Sequence, residues 1–253
     1  MTQSSEIPQR IQEALDHTVA IIPVWNEEEG IGDVLADIPR GVTPIVVDNG
    51  STDGTIPIIE STDAILVHET EKGYGNVCMA GIRAIPAKAP GTRYVVFIDG
   101  DHADHPEDLP EMMRYLVDDE ADMVLASRVS GIREPGALPL QSRFAIWYAR
   151  RLLWRLYRVR FTDIGPFRVM PLEVLQRLHM VDKTWGWTVE MQAKGARLKL
   201  RMKEIPGRYR KRPGDSKISG SFWTAIKTGW KMLTTVLKWR FKRIGPPAGE
   251  VAK

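Results

Sequence analysis

The sequence predicts an α/β fold built on a mostly parallel, doubly wound sheet, and three observations lead there. Short runs rich in β-branched and aromatic residues recur at 18–25, 44–47, 64–67, 94–98 and 122–126. Helical patterns of roughly 10–15 residues separate most of them, the spacing of right-handed βαβ crossovers. Acidic residues follow several of the runs, at the sheet edge where open α/β folds gather their chemistry.

The 253 residues suffice for one large domain with appendages. The expected division is an N-terminal arm at 1–17, a core at 18–220, and a basic amphipathic helix with a tail at 221–253. Hydrophobic residues at 43% and charged residues at 26% exclude wholesale disorder. A lone Cys78 excludes an internal disulfide framework and suits a reducing compartment. The start lacks the basic and apolar regions of a signal peptide, and no apolar run is long enough to span a bilayer. A cytoplasmic chain is therefore expected.

Charge is segregated along the chain. Residues 1–130 hold 8 Lys and Arg against 24 Asp and Glu, a net of −16, while residues 131–253 hold 27 against 8, a net of +19. An acidic half suits metal binding, and a basic half suits phosphates or an anionic membrane surface. Mutual neutralisation on packing is the competing account.

In chain order, the apolar run at 18–25 meets Asn26-Glu27-Glu28-Glu29, acids suited to the positive end of a helix carrying Ile31, Val34, Leu35 and Ile38. The run at 44–47 leads into Asp48-Asn49-Gly50-Ser51-Thr52-Asp53-Gly54-Thr55, a turn that caps the next helix. The run at 64–67 passes through Lys72-Gly73-Tyr74-Gly75-Asn76 into a helix ending near residue 87. The run at 94–98 ends in Asp99-Gly100-Asp101, and a helix at about 106–117 precedes the fifth run. No dinucleotide fingerprint, P-loop or internal repeat appears. The five histidines lack zinc-ligand spacing, and no nucleic-acid-binding motif accompanies the basic residues.

Parallel strands would bring Glu27, Asp48, Asp99 and Asp101 to one edge. An Asp-x-Asp turn suits a hard divalent cation that also takes oxygens from a diphosphate. Ordinary turn chemistry is the alternative for Asp48 and Asp53. In the basic half, the helix at 141–160 mixes Trp147, Arg151, Trp154, Arg155 and Arg158 on one face, with Ala145, Ala149, Leu152 and Leu156 on another. The segment at 221–244 repeats Trp223, Ile226, Trp230, Leu233, Leu237, Phe241 and Ile244 at helical spacing beside Lys227, Lys231, Lys238 and Lys242. Both have the composition of helices lying on a membrane; packing on the domain with Trp as core and Arg as rim is the rival use of the first, and a dimer seam, and so a homo-oligomer, or an edge of the fold is that of the second. The loop at 208–217 combines charge with Pro and Gly and suits closure over phosphates.

Pro23-Val24-Trp25-Asn26-Glu27, the Asp48–Thr55 turn and Asp99-Gly100-Asp101 resemble a family-2 glycosyltransferase of the GT-A type, a Rossmann-like fold. Ala126-Ser127-Arg128, Thr162-Asp163-Ile164-Gly165-Pro166-Phe167-Arg168, Trp187-Thr188-Val189-Glu190-Met191 and Arg212-Pro213-Gly214-Asp215-Ser216-Lys217 extend the likeness to the dolichyl-phosphate mannose and glucose synthases and their bacterial polyprenyl-phosphate relatives. The resemblance implies transfer of a hexose, with inversion, from a nucleotide diphosphate-sugar to a polyprenyl phosphate. The enzyme would lie peripherally on the inner face of the membrane. A hydroxyl acceptor on a glycolipid or soluble molecule, and a catalytically inactive membrane module, are the rival readings. By the same resemblance Pro23, Trp25, Glu27, Asp48, Lys72 and Asp99 would line the donor pocket. Asp101, with Asp99, would hold Mg²⁺ or Mn²⁺, and Arg128, Arg212 and Lys217 would handle phosphates. Ala103 stands where relatives carry Gln, which brings Asp104 or His102 forward as a replacement ligand. Asn49 replaces the second acid of the usual Asp-Asp pair. Should the acceptor be a hydroxyl, Glu190 or Asp163 would be the base; acceptor positioning, or a plain helix-terminal acid or salt-bridge partner, are the other readings of Glu190.

Overall fold

Alternation along the first strand sends Val19 and Ile21 into one apolar layer and Ala20, Ile22 and Val24 into the other. A strand apolar on both faces belongs inside a two-sided α/β sandwich, and the computed structural model has that architecture. It describes residues 7–213 and 222–245, with side chains from residue 230 onward in the last segment. Lys217 and the side chains of Trp223, Ile226 and Lys227 lie outside the described residues.

Seven strands, β1 (Thr18–Val24), β2 (Thr43–Asp48), β3 (Ile65–His68), β4 (Tyr94–Phe97), β5 (Met123–Ser127), β6 (Arg168–Pro171) and β7 (Met202–Pro206), form one sheet in the order β3-β2-β1-β4-β6-β5-β7. All pairings are parallel except those of β6, which runs against β4 and β5. The helices are α1 (Gln9–Leu15), α2 (Ile31–Asp37), α3 (Thr55–Glu60), α4 (Tyr74–Lys88), α5 (Leu109–Val117), α6 (Leu140–Tyr157), α7 (Leu172–Leu178), α8 (Trp187–Arg197) and α9 (Phe222–Phe241). One apolar layer holds α1, α2, α3 and α5, and the other holds α4, α6, α7, α8 and α9. Each fully buried Ile, Leu or Val in them contributes on the order of 1.5–3 kcal/mol.

Within the N-terminal arm, α1 packs on α5 and buries Ile11, Ala14 and Leu15. At the other end α9 packs on α6 and α8 through buried Met232, Val236 and Trp239, and so forms an edge of the fold. The Tyr157 hydroxyl donates to the Val236 carbonyl at 2.6 Å, and Lys194 lies 3.7 Å from the Trp239 ring centre. The expected apolar stripe faces the other way, with Trp230, Leu237 and Phe241 exposed. Likewise α6 buries Ile146, Ala149 and Leu153 while Phe144 and Trp147 remain outside.

Candidate active site

In the parallel register Val24 stands beside Asp48, and Ile21 beside Phe97, so the loops after β1, β2 and β4 leave the sheet together. Side chains stitch the first two. Asn26, with φ +55°, donates its N–H to the Ser51 hydroxyl at 2.8 Å and accepts from the Thr52 N–H at 2.7 Å. The Glu27 N–H donates to the Thr55 hydroxyl at 2.8 Å. The Asp99–Asp101 turn sits tightly beneath them. A Cβ on Gly100 would meet Val24 at 2.5 Å, and one on Gly30 would meet the Gly100 carbonyl at 2.9 Å.

These loops, the start of α4 and Trp185 enclose a cleft of about 400 Å³. Of the residues expected at the donor site, Pro23, Trp25, Glu27, Lys72, Asp99, Asp101 and Arg212 all line it. Trp25 is half exposed, with the Lys72 ammonium 5.2 Å from its ring centre. The Tyr74 hydroxyl donates to Asp99 at 2.9 Å. Burial, reinforced by the charge of Asp101, pushes the Asp99 carboxyl up to about 7. Asp101 accepts from the Ala103 N–H at 3.1 Å and lies 3.1 Å from Arg212, whose other terminal nitrogen reaches Glu27 at 3.0 Å.

Asp48 lies behind the cleft wall. It is buried and accepts from the Gly50 and Ser51 N–H groups at 2.9 and 3.0 Å. Burial works against its charge, but these hydrogen bonds prevail and hold it below the usual carboxylate range. Its neighbour Asn49 lines the cleft instead. The Asn49 amide donates to the carbonyls of Glu69 and Glu71 at 2.7 and 3.1 Å, tying down the loop after β3. A carboxylate cannot donate, which explains Asn at this position.

The expected replacement metal ligands lie elsewhere. Asp104 is buried, bridged to Tyr209 through the backbone, and burial raises its pKa well above the usual range. His102 turns to Asp37, at 2.7 Å. Among the described residues no three His, Cys, Asp or Glu side chains converge on one metal position. Asp99 and Asp101 nevertheless suit a divalent cation whose other ligands come from a bound diphosphate or water, because two hard oxygen donors share a site in which their charges repel.

Three further candidates are engaged outside the cleft. Arg128 forms a bidentate pair with Asp163, both contacts 2.8 Å, and stacks over Tyr209. Burial alone would raise the Asp163 pKa, but Arg128 and the hydrogen bonds hold it low. Glu190 is fully buried, 2.6 Å from the Lys194 ammonium, and accepts the Asp182 N–H at 2.6 Å. It therefore anchors the 181–186 loop that carries Trp185 into the cleft, the salt-bridge use of this acid.

Tyr74, Asn49 and Trp185 were not among the expected site residues. The Lys72-Gly73-Tyr74 turn and the Trp185-Gly186-Trp187 cluster were the available signals. A Cβ on Gly75 would stand 1.8 Å from the Asp182 carbonyl, so the turn and the Trp185 loop interlock through glycine.

The model of the family described as glycosyl transferase family 2 matches residues 19–178. The chain belongs to glycosyltransferase family 2. It is 34% identical over 232 residues to an uncharacterised glycosyltransferase of Mycobacterium tuberculosis, covering 87% of this chain and 99% of that one. It is 30% identical over 220 residues to the undecaprenyl-phosphate mannosyltransferase of Micrococcus luteus, covering 80% and 87%. With the dolichyl-phosphate hexose transferase of Haloferax volcanii it shares 28% over 207 residues, covering 80% and 87%. Among solved structures, the glucosyl-3-phosphoglycerate synthase of Mycobacterium tuberculosis, in complex with Mn²⁺, uridine diphosphate and phosphoglyceric acid, superposes with a TM-score of 0.72 at 19% identity. That match covers 92% of this chain and 82% of the synthase. The family-2 glycosyltransferase has the GT-A architecture that its resemblance implied.

Proposed function

We propose that this glycosyltransferase moves a hexose, with inversion, from a nucleotide diphosphate-sugar to a polyprenyl phosphate at a membrane surface. The observation that carries the reading is the cleft itself, where Asp99, Asp101, Glu27 and Arg212 meet an aromatic wall at the C-terminal edge of the sheet. Pro23, Trp25 and Lys72 would hold the nucleoside end of the donor, with Asp48 shaping their loop from behind. Asp101, backed by Asp99, would hold Mg²⁺ or Mn²⁺, which when bound supplies charge neutralisation for the leaving diphosphate. Arg212 would add a bidentate contact to the same phosphates, and Lys217 would join it from the basic loop.

What the carboxylates do supports this acceptor class. A lipid phosphate arrives as an anion and needs no general base, whereas a hydroxyl does. Glu190 and Asp163 are held in ion pairs outside the cleft, which favours the phosphate. The relatives named for undecaprenyl and dolichyl phosphate point the same way. A soluble acceptor is the second reading, prompted by the phosphoglyceric acid bound in the structural neighbour. Among the described residues no helix is long and apolar enough to cross a membrane. The outward Phe144 and Trp147 of α6 and the outward Trp230 and Phe241 of α9, set among Arg143, Arg151 and Arg240, suit peripheral attachment to an anionic leaflet.

A thermal-shift panel of UDP-, GDP- and dTDP-sugars with and without Mn²⁺ identifies the donor. Radiolabelled transfer then decides the acceptor: an organic-extractable, mild-acid-labile product is expected with polyprenyl phosphate. Label that remains in water would overturn the choice. Flotation with anionic liposomes should be lost when Trp230 and Phe241 are changed to Ser, substitutions that leave the buried side of α9 untouched.

A further inference from the structure

The geometry points to Arg212 as a resident counter-cation that competes with the divalent cation for Asp101, so that metal binds well only together with a diphosphate that draws the guanidinium away. This rests on the reading of the cleft as a nucleotide diphosphate-sugar site.

The Arg212 guanidinium stands 3.1 Å from Asp101 Oδ2 and 3.0 and 3.2 Å from the two Glu27 oxygens. A hard cation ligated by Asp101 Oδ2 would sit at about 2.0–2.6 Å from that same oxygen. Two positive charges on one carboxylate repel in a half-buried cleft, so each weakens the other's hold on Asp101. Protonation cannot arbitrate between them, because arginine stays charged at every working pH. Burial opposes that charge, and Asp101 and Glu27 outweigh it.

The pose is also incomplete. Arg212 Nε is buried without a hydrogen-bond partner, a donor that the two carboxylates leave unused. A diphosphate offers several more acceptor oxygens, so transfer of the guanidinium from Asp101 to phosphate has somewhere better to go. The backbone leading into Arg212 is held by hydrogen bonds. Tyr209 N–H donates to the Ile132 carbonyl at 2.9 Å, Arg210 N–H to the Ala103 carbonyl at 2.8 Å, and Lys211 N–H to Glu134 at 2.8 Å. The Arg210 side chain reaches His102 and His105, each at 2.9 Å. The exchange is therefore read as a swing of the Arg212 side chain. Its thermodynamic signature is positive coupling between metal and diphosphate, the part beyond shared ligation residing in Arg212.

Binding of Mn²⁺, read from the free-ion electron paramagnetic resonance signal, tests this without turnover. Wild type, Arg212→Met, Arg212→Lys and Asp101→Asn are titrated with Mn²⁺ alone, with UDP and with GDP. Wild type should bind Mn²⁺ weakly alone and at least about fivefold more tightly with the nucleotide it recognises. Arg212→Met should bind Mn²⁺ alone at least about fivefold more tightly than wild type, with a smaller gain from nucleotide than wild type shows, the remaining gain coming from phosphate oxygens that ligate the metal directly. Arg212→Lys should stay near wild type. Equal Mn²⁺ affinity of wild type and Arg212→Met, alongside nucleotide-dependent binding that Asp101→Asn abolishes, overturns the counter-cation role and leaves the proposed function standing. Unchanged binding by Asp101→Asn in every condition removes both. A melting curve verifies that each variant folds, and Arg212→Gln replaces Arg212→Met if that variant does not.

Discussion

The phenol of Tyr74 and the carboxyl of Asp99 meet at 2.9 Å beneath the cleft, one from the first residue of α4 and the other from the turn after β4. This bond is the main feature that favours the charged form of Asp99 against its burial and the neighbouring charge of Asp101. Tyr74→Phe should destabilise the protein by about 1–3 kcal/mol, the usual result of leaving a buried acceptor unsatisfied. Urea unfolding measures it, and donor affinity should fall with it. An unchanged midpoint would contradict the assignment.

Asn49→Asp introduces the second acid of the Asp-Asp pair that the family resemblance implies and removes both amide donors to Glu69 and Glu71. It also places a second negative charge beside Asp48. The expected result is a loss of about 2 kcal/mol and weaker donor binding, measured by thermal denaturation and by titration with the donor. Tighter binding would show that the amide is not what holds the loop.

Glu190→Gln separates a structural acid from a base. The Lys194 ammonium would lose its buried partner, at a cost of about 3–5 kcal/mol. The pH dependence of kcat in whatever protein remains folded should keep its shape, since the carboxylate lies outside the cleft. Loss of one limb of that profile with stability intact would restore Glu190 as the base.

Asp182 links the Trp185 loop to α9 through Lys231 at 2.8 Å. Burial would raise the Asp182 pKa, but the Lys231 contact and the Thr184 hydrogen bonds prevail and hold it below the ordinary value of 3.8. A depressed acid contributes stability above its unfolded pKa and loses it as pH falls through the folded value. Tryptophan fluorescence should therefore report loosening of α9 below about pH 3.8, and Asp182→Asn should weaken the protein at pH 7 while flattening its acid limb.

The strands that were legible in the sequence are those apolar on both faces, such as β1, β2 and β5. β6 was not, because it opens with Arg168, whose fully buried guanidinium donates to the carbonyls of Ile164, Gly165, Pro166 and Thr188. No hydrophobic alternation announces a buried cation satisfied by three carbonyls of the preceding turn and one twenty residues on. The strand-end acids were legible because parallel pairing forces such loops together. Trp185 and Tyr74 enter the cleft through a glycine contact between segments more than a hundred residues apart, which no local pattern shows. Glu190 did carry a usable signal: Lys194 stands four residues on in the same helix, the spacing of an ion pair.

The reversal of β6 also governs the order in which the sheet can close. β5 never touches β4; the two are joined only by β6, which follows β5 by some forty residues. As the chain leaves the ribosome, β1 to β4 can pair among themselves, while β5 must wait with an apolar edge exposed until β6 and β7 emerge. Delayed, non-local pairing of this kind slows folding and lengthens exposure to aggregation. The second half of the sheet is thus where recombinant synthesis should be most sensitive to temperature and to chaperone supply.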